Sequence, residues 1–320
     1  MNDEDLATLI ALTELQGIGD SRALELFRSF ETRTELQASP RNAFKNYSYV
    51  DADTHEKIQE LAPTVDEYCE RFQRYRRQGI NVIGIDDDRY PAPLRHHHAP
   101  LVLYAKGNVA RLFDPAVSVS GSRETNKAGQ TWIRDIAREL SSEGYTIISG
   151  GAHGTDTAAH KGALDSTGAT IAVLGTGVNT PYPEENTDMF SDIVDKDGLL
   201  LSHRPPQAEP TRYAFLDRNK TISVLSPGII IVATDGSGGT MAQYETALDQ
   251  GRQIFVPEAG QQIRPNSGLK KMRTAEATTV VSSTDTIKAA ISEAHLDKND
   301  RPIKKKSAAS ENIQTSLDEW

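Results

Sequence analysis

From Ala116 onward, continuously apolar runs alternate with amphipathic ones, and few architectures accommodate that pattern. Ala116–Ser120, Tyr145–Ser149, Thr170–Leu174, Leu199–Ser202, Ile229–Ala233 and Gln253–Val256 are expected strands. Helices are expected between them, at about Lys127–Glu143, Thr155–Ser166, Asn219–Leu225 and Met241–Gln250. Strands that are apolar throughout, rather than at alternate residues, belong to a parallel sheet covered on both faces. Repeated strand–helix–strand units build such a sheet. The fold class is therefore expected to be α/β, doubly wound and mostly parallel.

The flanks read differently. Leu6, Leu9, Ile10 and Leu12, then Gly17-Ile18-Gly19, then Ala23, Leu24, Leu26 and Phe27 predict helix, hairpin, helix. Residues 64–78 predict a helix ending in Arg71, Arg74, Arg76 and Arg77, where cations suit the helix dipole. Ile80–Ile85 and Leu101–Tyr104 predict short strands around a Pro-rich loop, and Thr284–Ala294 one more helix. Leu296–Trp320 is polar, with Lys304-Lys305-Lys306, and reads as a disordered tail. The expected division is a helical domain over 1–78, the main domain over 79–295 and a tail over 296–320.

Composition narrows the function classes. With 37% hydrophobic and 25% charged residues, 23 Gly and 15 Pro, the chain is neither collagen-like nor wholly disordered. The single cysteine, Cys69, excludes an internal disulfide and, among Val65, Tyr68 and Phe72, is expected to be a core thiol. No apolar run approaches the ~20 residues needed to cross a bilayer. The start, Met1-Asn2-Asp3-Glu4-Asp5, is acidic where a signal peptide would be basic, so a cytoplasmic location is expected. A net charge of −10 argues against a surface coated in base and confines any nucleic-acid binding to a local basic groove.

In an open parallel sheet, ligands bind beyond the carboxyl ends of the strands. The residues there are glycine-rich: Gly121-Ser122-Arg123, Gly150-Gly151-Ala152-His153-Gly154-Thr155-Asp156, Gly175-Thr176-Gly177 and Asp235-Gly236-Ser237-Gly238-Gly239-Thr240. Glycine lets backbone N–H groups approach an anion, and a helix N-terminus adds partial positive charge. Tight turns need glycine on steric grounds alone, so no one loop is decisive, but all of them together favour a phosphate-bearing ligand. No Gly-x-x-x-x-Gly-Lys-Ser/Thr occurs and no Gly-x-Gly-x-x-Gly follows the first strand, which disfavours ATP hydrolysis. His153, Asp156 and His160 could make a metal set, yet Asp156 stands where a first-turn acid is expected. His96-His97-His98, in a Pro-flanked loop without carboxylate or thiol nearby, reads as surface. No cofactor is expected.

These blocks carry a resemblance. Gly79-Ile80 through Tyr90-Pro91 to Val102-Leu103-Tyr104-Ala105-Lys106-Gly107 resembles the lead-in of the DprA/Smf family, and Gly121-Ser122-Arg123 its Gly-Ser-Arg motif. The stretch from Ser149 to His160 is similar to the block Ser-Gly-x-Ala-Arg-Gly-Ile-Asp-x-x-Ala-His. Ile171 to Gly177, with Tyr182-Pro183-Glu184-Glu185-Asn186, is similar to the next, and order and spacing agree from about 79 to 280. The resemblance implies a Rossmann-like domain without catalytic chemistry. It further implies binding of single-stranded DNA, often as a homodimer, and loading of a RecA-type recombinase during uptake or repair.

The family's DNA-contacting segment, Phe-Pro-x-Arg-Asn-Arg, is matched by Phe215-Leu216-Asp217-Arg218-Asn219-Lys220. Arg218 and Lys220 are expected to neutralise phosphates, and Phe215, with Tyr213 nearby, to stack a base for ~1–3 kcal/mol. The alternative is an ordinary helical turn with Phe215 in the core. Arg123 would add a third cation, with Lys106 and Arg212 as further candidates. The expected DNA- or phosphate-binding set is Gly121, Ser122, Arg123, Gly150, His153, Gly154, Phe215, Arg218, Asn219, Lys220, Ser237, Gly238, Gly239 and Thr240.

The chain departs from the pattern at His153 (arginine in the family), Leu216 (proline) and Gly238-Gly239-Thr240 (usually Ser-Gly-Ser). The family's C-terminal winged-helix-like module is expected to be absent. Leu15-Gln16-Gly17-Ile18-Gly19 resembles a helix-hairpin-helix (SAM-like) turn, expected to serve packing or interaction more than DNA. A different class remains open. Gly236-Ser237-Gly238-Gly239-Thr240 is reminiscent of the Pro-Gly-Gly-x-Gly-Thr-x-x-Glu loop of phosphoribohydrolases of the lysine-decarboxylase-like fold. Gln243 holds the place of the reactive glutamate and cannot act as an ionised base; Glu245 is two residues displaced. A nucleotide sensor in a defence system is a third reading, with no effector domain in view.

Overall fold

The apolar runs become the strands of one sheet in the computed structural model, which describes residues 1–97, 100–166 and 169–295. The strands are β1 (Ile80–Gly84), β2 (Val102–Gly107), β3 (Ala116–Ser120), β4 (Thr146–Ser149), β5 (Thr170–Val173), β6 (Leu199–Ser202), β7 (Gly228–Ile231), β8 (Gln253–Pro257) and β9 (Thr278–Val281). Their order is β1-β2-β6-β5-β4-β3-β7-β8-β9. Every neighbouring pair from β6 to β9 is parallel. β2 lies antiparallel on β6, and β1 antiparallel on β2. The segment β5-β4-β3-β7-β8-β9 has the doubly wound nucleotide-fold order, with its switch between β3 and β7.

Strand side chains alternate between faces, and both faces are dry. Ile147 joins one core, with Ile133, Leu140 and Ile230; Ile148 joins the other, with Ile171, Leu200 and Phe190. That is why the strands read as continuously apolar. Helices Lys127–Ser142, Thr155–Leu164 and Thr284–His295 cover the first face. The second core runs on into the N-terminal helices Asp3–Thr13, Asp20–Arg28, Arg33–Ala38, Ala52–Gln59 and Ala62–Arg77. Leu6 approaches Gly84 of β1 so closely that a Cβ there would lie 3.0 Å from it. Glu14 with Tyr68, and Asp3 with Arg76, tie the first helix to the last, so part of the basic cluster at 71–77 is engaged by acids.

Several elements differ from expectation. Arg212–Val224 is one helix, beginning well before Asn219, because the Thr211 hydroxyl caps it by accepting the Ala214 N–H (3.3 Å). Thr187–Asp195 and Ser267–Met272 are helices and β9 is an added edge strand. Ala92–His97 is a short helix where a loop is expected; His98 and the side chains of His96 and His97 lie outside the described residues, as does the tail 296–320. Cys69 is half-buried at the margin of the core rather than inside it, and burial raises its thiol above the ordinary range. Among the described residues, no helix is long and apolar enough to cross a membrane.

Candidate nucleic-acid interface

The loops after β3 and β4 close on each other beside the switch in strand order. The Thr155 N–H donates to the Ser122 carbonyl (3.3 Å), and the Thr155 and Thr125 hydroxyls are 2.6 Å apart. Gly154 has φ +75°, and a Cβ there would stand 2.4 Å from the Arg123 carbonyl oxygen, so a larger residue is barred twice over. Gly121, Ser122 and Gly154 thus form a packed seam. Ser122 spends its N–H on the Ala233 carbonyl (2.8 Å) and its hydroxyl on the Glu124 N–H (3.1 Å).

Arg218 occupies an unexpected place. Ala214, Arg218, Thr221 and Ile222 form the buried stripe of their helix, at the spacing of one helical face. The arginine is only 6% exposed, and its Nη1 donates to the Val173 carbonyl at 3.0 Å. It fits because residue 150 is glycine: a Cβ there would lie 1.5 Å from Nη1. Nε has no hydrogen-bond partner among the described residues. Arg218 thus lies beneath the surface of the site, while its guanidinium still lines it.

The charges around Arg218 are arranged tightly. Asp156, also buried, accepts the Ala152 N–H at 3.2 Å, so the acid binds the loop before its own helix. Burial raises the Asp156 carboxyl, with Arg218 opposing the shift. Burial lowers Arg218; Asp156 opposes that shift, and Arg123 reinforces it by like-charge repulsion. Arg123 and Arg218 thus repel each other, while Asp156 opposes the charge of Arg218. Below them His160 is fully buried, its Nδ1 2.8 Å from the Thr170 hydroxyl. Burial, helped by Arg218, lowers its pKa to about 3, so the ring is neutral. His153 instead stands at the surface with Nε2 3.6 Å from Glu185. Among the described residues, no three His, Cys, Asp or Glu are placed to share a metal.

Above this cluster, Arg123, Gly150, Ala152, His153, Tyr182, Pro183, Phe215 and Arg218 line a shallow depression of about 40 Å³. Enclosed small-molecule sites run to ~300–1,000 Å³, so this dent suits a phosphate or the edge of a base. Phe215 is half-buried, its ring 5.8 Å from that of Tyr182 and 5.9 Å from the Arg218 guanidinium carbon. It is therefore neither a core ring nor a free one. Tyr182 is 43% exposed and completes an aromatic pair that sequence reasoning missed, although Tyr182-Pro183 stood in a recognised block.

Other expected residues lie apart from the dent. The Asn219 and Lys220 carbonyls accept Gln243 Nε2 (2.8 Å) and Gln250 Nε2 (3.2 Å), and the Lys220 ammonium pairs with Asp217 at 3.0 Å. Ser237, Gly238 and Gly239 are exposed and Thr240 half-exposed, where the loop after β7 runs into the helix Gly238–Asp249. Lys106 Nζ reaches Asn179 at 3.5 Å, and Arg212 is exposed. Gln243 is buried and serves helix packing, while Glu245 is exposed on the same helix. A larger cavity, about 290 Å³, is lined by Ile10, Thr13, Asp20, Pro100, Leu101, Val102, His203 and Asp217 and shares no lining residue with the dent.

Residues 81–291 match the family model of DNA recombination-mediator protein A. The chain belongs to that family. The DNA processing protein DprA of Bacillus subtilis is 35% identical over 184 residues, 57% of this chain and 62% of that one. Its namesake from Streptococcus pneumoniae is 38% identical over 174 residues, 54% and 61% of the two chains. The chain thus spans under two thirds of the length of these family members. The S. pneumoniae DprA crystal structure superposes with a TM-score of 0.62 at 28% identity, covering 85% of this chain and 98% of that one. A Helicobacter pylori family member, solved for its single-stranded DNA binding mode, shares the fold at 24% identity, with a TM-score of 0.58 over 67% and 96%.

Proposed function

We propose that this chain binds single-stranded DNA at the dent beyond β4 and β5, protects incoming or repair DNA and helps to load a RecA-type recombinase. One observation carries the reading: an exposed arginine, an aromatic pair and a buried arginine with a vacant Nε converge on one shallow site. A duplex hides its bases, whereas an unpaired strand can offer a phosphate to Arg123 and a base face to Phe215 and Tyr182. Arg218 then acts as a fixed positive floor. Gly121, Ser122, Gly150 and Gly154 hold the backbone in place, and His153 stands at the rim. Asn219 and Lys220 support the helix from behind, and Ser237, Gly238, Gly239 and Thr240 offer a separate contact.

The wider reading belongs to the same proposal. The protein works in the cytoplasm, as a homodimer, without catalysis; Gln243 and Glu245 carry no hydrolytic role. Residues 1–78 form its helical domain and 79–295 its DNA-binding domain.

Anisotropy of a labelled oligothymidylate across a salt series tests the core of this. Each phosphate contact adds about 0.7 to the slope of log K against log salt for a single strand. Arg123→Ala should make the slope shallower by about that amount. Phe215→Ala should weaken binding by ~1–3 kcal/mol with the slope unchanged. An oligonucleotide that ignores the wild-type protein even in dilute buffer would end the reading.

A further inference from the structure

Ion pairs are spread unevenly over the surface. Some surface cations are matched by acids, among them Arg28 with Asp86, Arg134 with Asp165 and Lys288 with Glu143. At the edge, exposed Arg123, Lys127 and Arg264 have no ion-pair partner among the described residues. Arg123 and Lys127 share the loop and helix start after β3, and Asn126 fastens Arg264 beside them. The Asn126 N–H donates to the Arg264 carbonyl (3.0 Å), and the Arg264 N–H donates to Asn126 Oδ1 (3.0 Å). Asn126 Nδ2 adds a bond to the Gln262 carbonyl (3.1 Å). Two loops distant in sequence are thereby locked with their cations on one edge.

Lys127 is badly placed for helix stability. It opens the Lys127–Ser142 helix, whose first turn has no acid, and a cation there opposes the helix dipole. An external anion at this end would remove the conflict.

The dent also has a charged polarity. Beyond Pro183 the chain continues through exposed Glu184, Glu185 and Asp188, and Glu185 already faces His153. A polyanion is repelled on that side. On the other, Arg123 leads to Lys127 and Arg264, with Glu124 as the exposed acid between them and Asp235 engaged by Ser237.

We infer that a single strand held in the dent leaves it over the β3 loop and is gripped a second time by Lys127 and Arg264. This rests on the single-strand reading of the dent and extends it with a direction and an extra phosphate-binding pair. The bases above this pair are not stacked, since no aromatic side chain belongs to it. The second grip therefore depends on strand length and salt but not on sequence.

The test uses the full chain and two oligothymidylates, of about four and about sixteen nucleotides, the range of single-strand site sizes. Lys127→Gln with Arg264→Gln should leave the short oligomer's affinity within about twofold, weaken the long one by about tenfold at moderate salt and make its slope shallower by about 1.4. Both positions are exposed, and an unchanged urea midpoint will show that the variant folds. A long oligomer bound equally well by variant and wild type overturns the second grip while leaving the dent intact. Equal losses for both lengths overturn it too, by placing the pair within the dent. If wild type binds neither length, the single-strand reading itself falls, and this extension with it.

Discussion

The loops after β4 and β7 look alike as strings of glycines, yet the fold treats them oppositely. The first is closed by the protein's own groups: Asp156 takes the Ala152 N–H, Ser122 takes the Thr155 N–H, and Arg218 fills the space that Gly150 vacates. The second is open. Ser237 and Gly238 are exposed, nothing lies within 4 Å of a Cβ built on Gly238 or Gly239, and the Ser237 N–H and hydroxyl both bond to Asp235. Glycine therefore marks two different needs, room for a neighbouring side chain at Gly150 and a backbone φ of +70° at Gly238.

Removing the arginine from the closed loop should have the largest effect. Arg218→Met leaves buried Asp156 without the cation that opposes its burial and removes the bond to the Val173 carbonyl, and a buried charge left uncompensated costs about 3–5 kcal/mol. The urea midpoint should fall accordingly, and adding Asp156→Asn should restore part of it. Failure of the second change to restore anything would show that the two groups are not coupled. Gly150→Ala comes next. Its Cβ would overlap Arg218 Nη1, at 1.5 Å, and forced repacking of a dense interior costs about 1–3 kcal/mol. Arg218→Met should relieve Gly150→Ala, so the double variant should lose less than the sum of the singles.

Acid should expose the same closed cluster. The His160 pKa of about 3 lies below its ordinary 6.5 because of burial and then Arg218. Above pH 6.5 neither state binds the proton; as pH falls toward 3, only the unfolded chain does. Stability is thus full above 6.5 and lost on acidification, by about 2 kcal/mol between pH 7 and 5 for this group. Asp156 has the opposite sign, its carboxyl being raised by burial, so the comparison must be with a variant. His160→Gln should flatten the fall of the urea midpoint over that range. An unchanged profile would mean that His160 is protonated in the folded state.

Much of the sheet was legible because its chemistry is repetitive. Ile147, Ile171, Leu200 and Ile230 sit in strands whose every residue is buried, and no other element demands that. Thr278–Val281 escaped because an edge strand with half-exposed residues has no such run. The orientation of β1 and β2 escaped because apolar runs do not encode direction. At the site, Arg123, Phe215 and the glycines of the loops after β3 and β4 were identified by position after a strand or in a motif. The burial of Arg218 was legible but unread: Ala214, Arg218, Thr221 and Ile222 have helical spacing, and assuming a helix start near Asn219 hid it. Tyr182 was out of reach, since its meeting with Phe215 joins a loop and a helix far apart in sequence.

The smallest effect is the one that separates the two loops most cleanly. Gly239 has no positive φ and nothing within 4 Å of an added Cβ, so Gly239→Ala should fold normally and gain up to ~1 kcal/mol from the lower entropy of the unfolded chain. That stability gain, read from the thermal midpoint, is the mirror image of the loss at Gly150. Binding then decides what the open space is for. If a phosphate approaches the backbone amides of Gly238 and Gly239, the added methyl should crowd it and weaken a long oligothymidylate severalfold while the protein becomes more stable. If affinity is unchanged, the helix start at Ser237–Thr240 lies off the strand's path, and the contacts must be sought along Arg123, Lys127 and Arg264 alone.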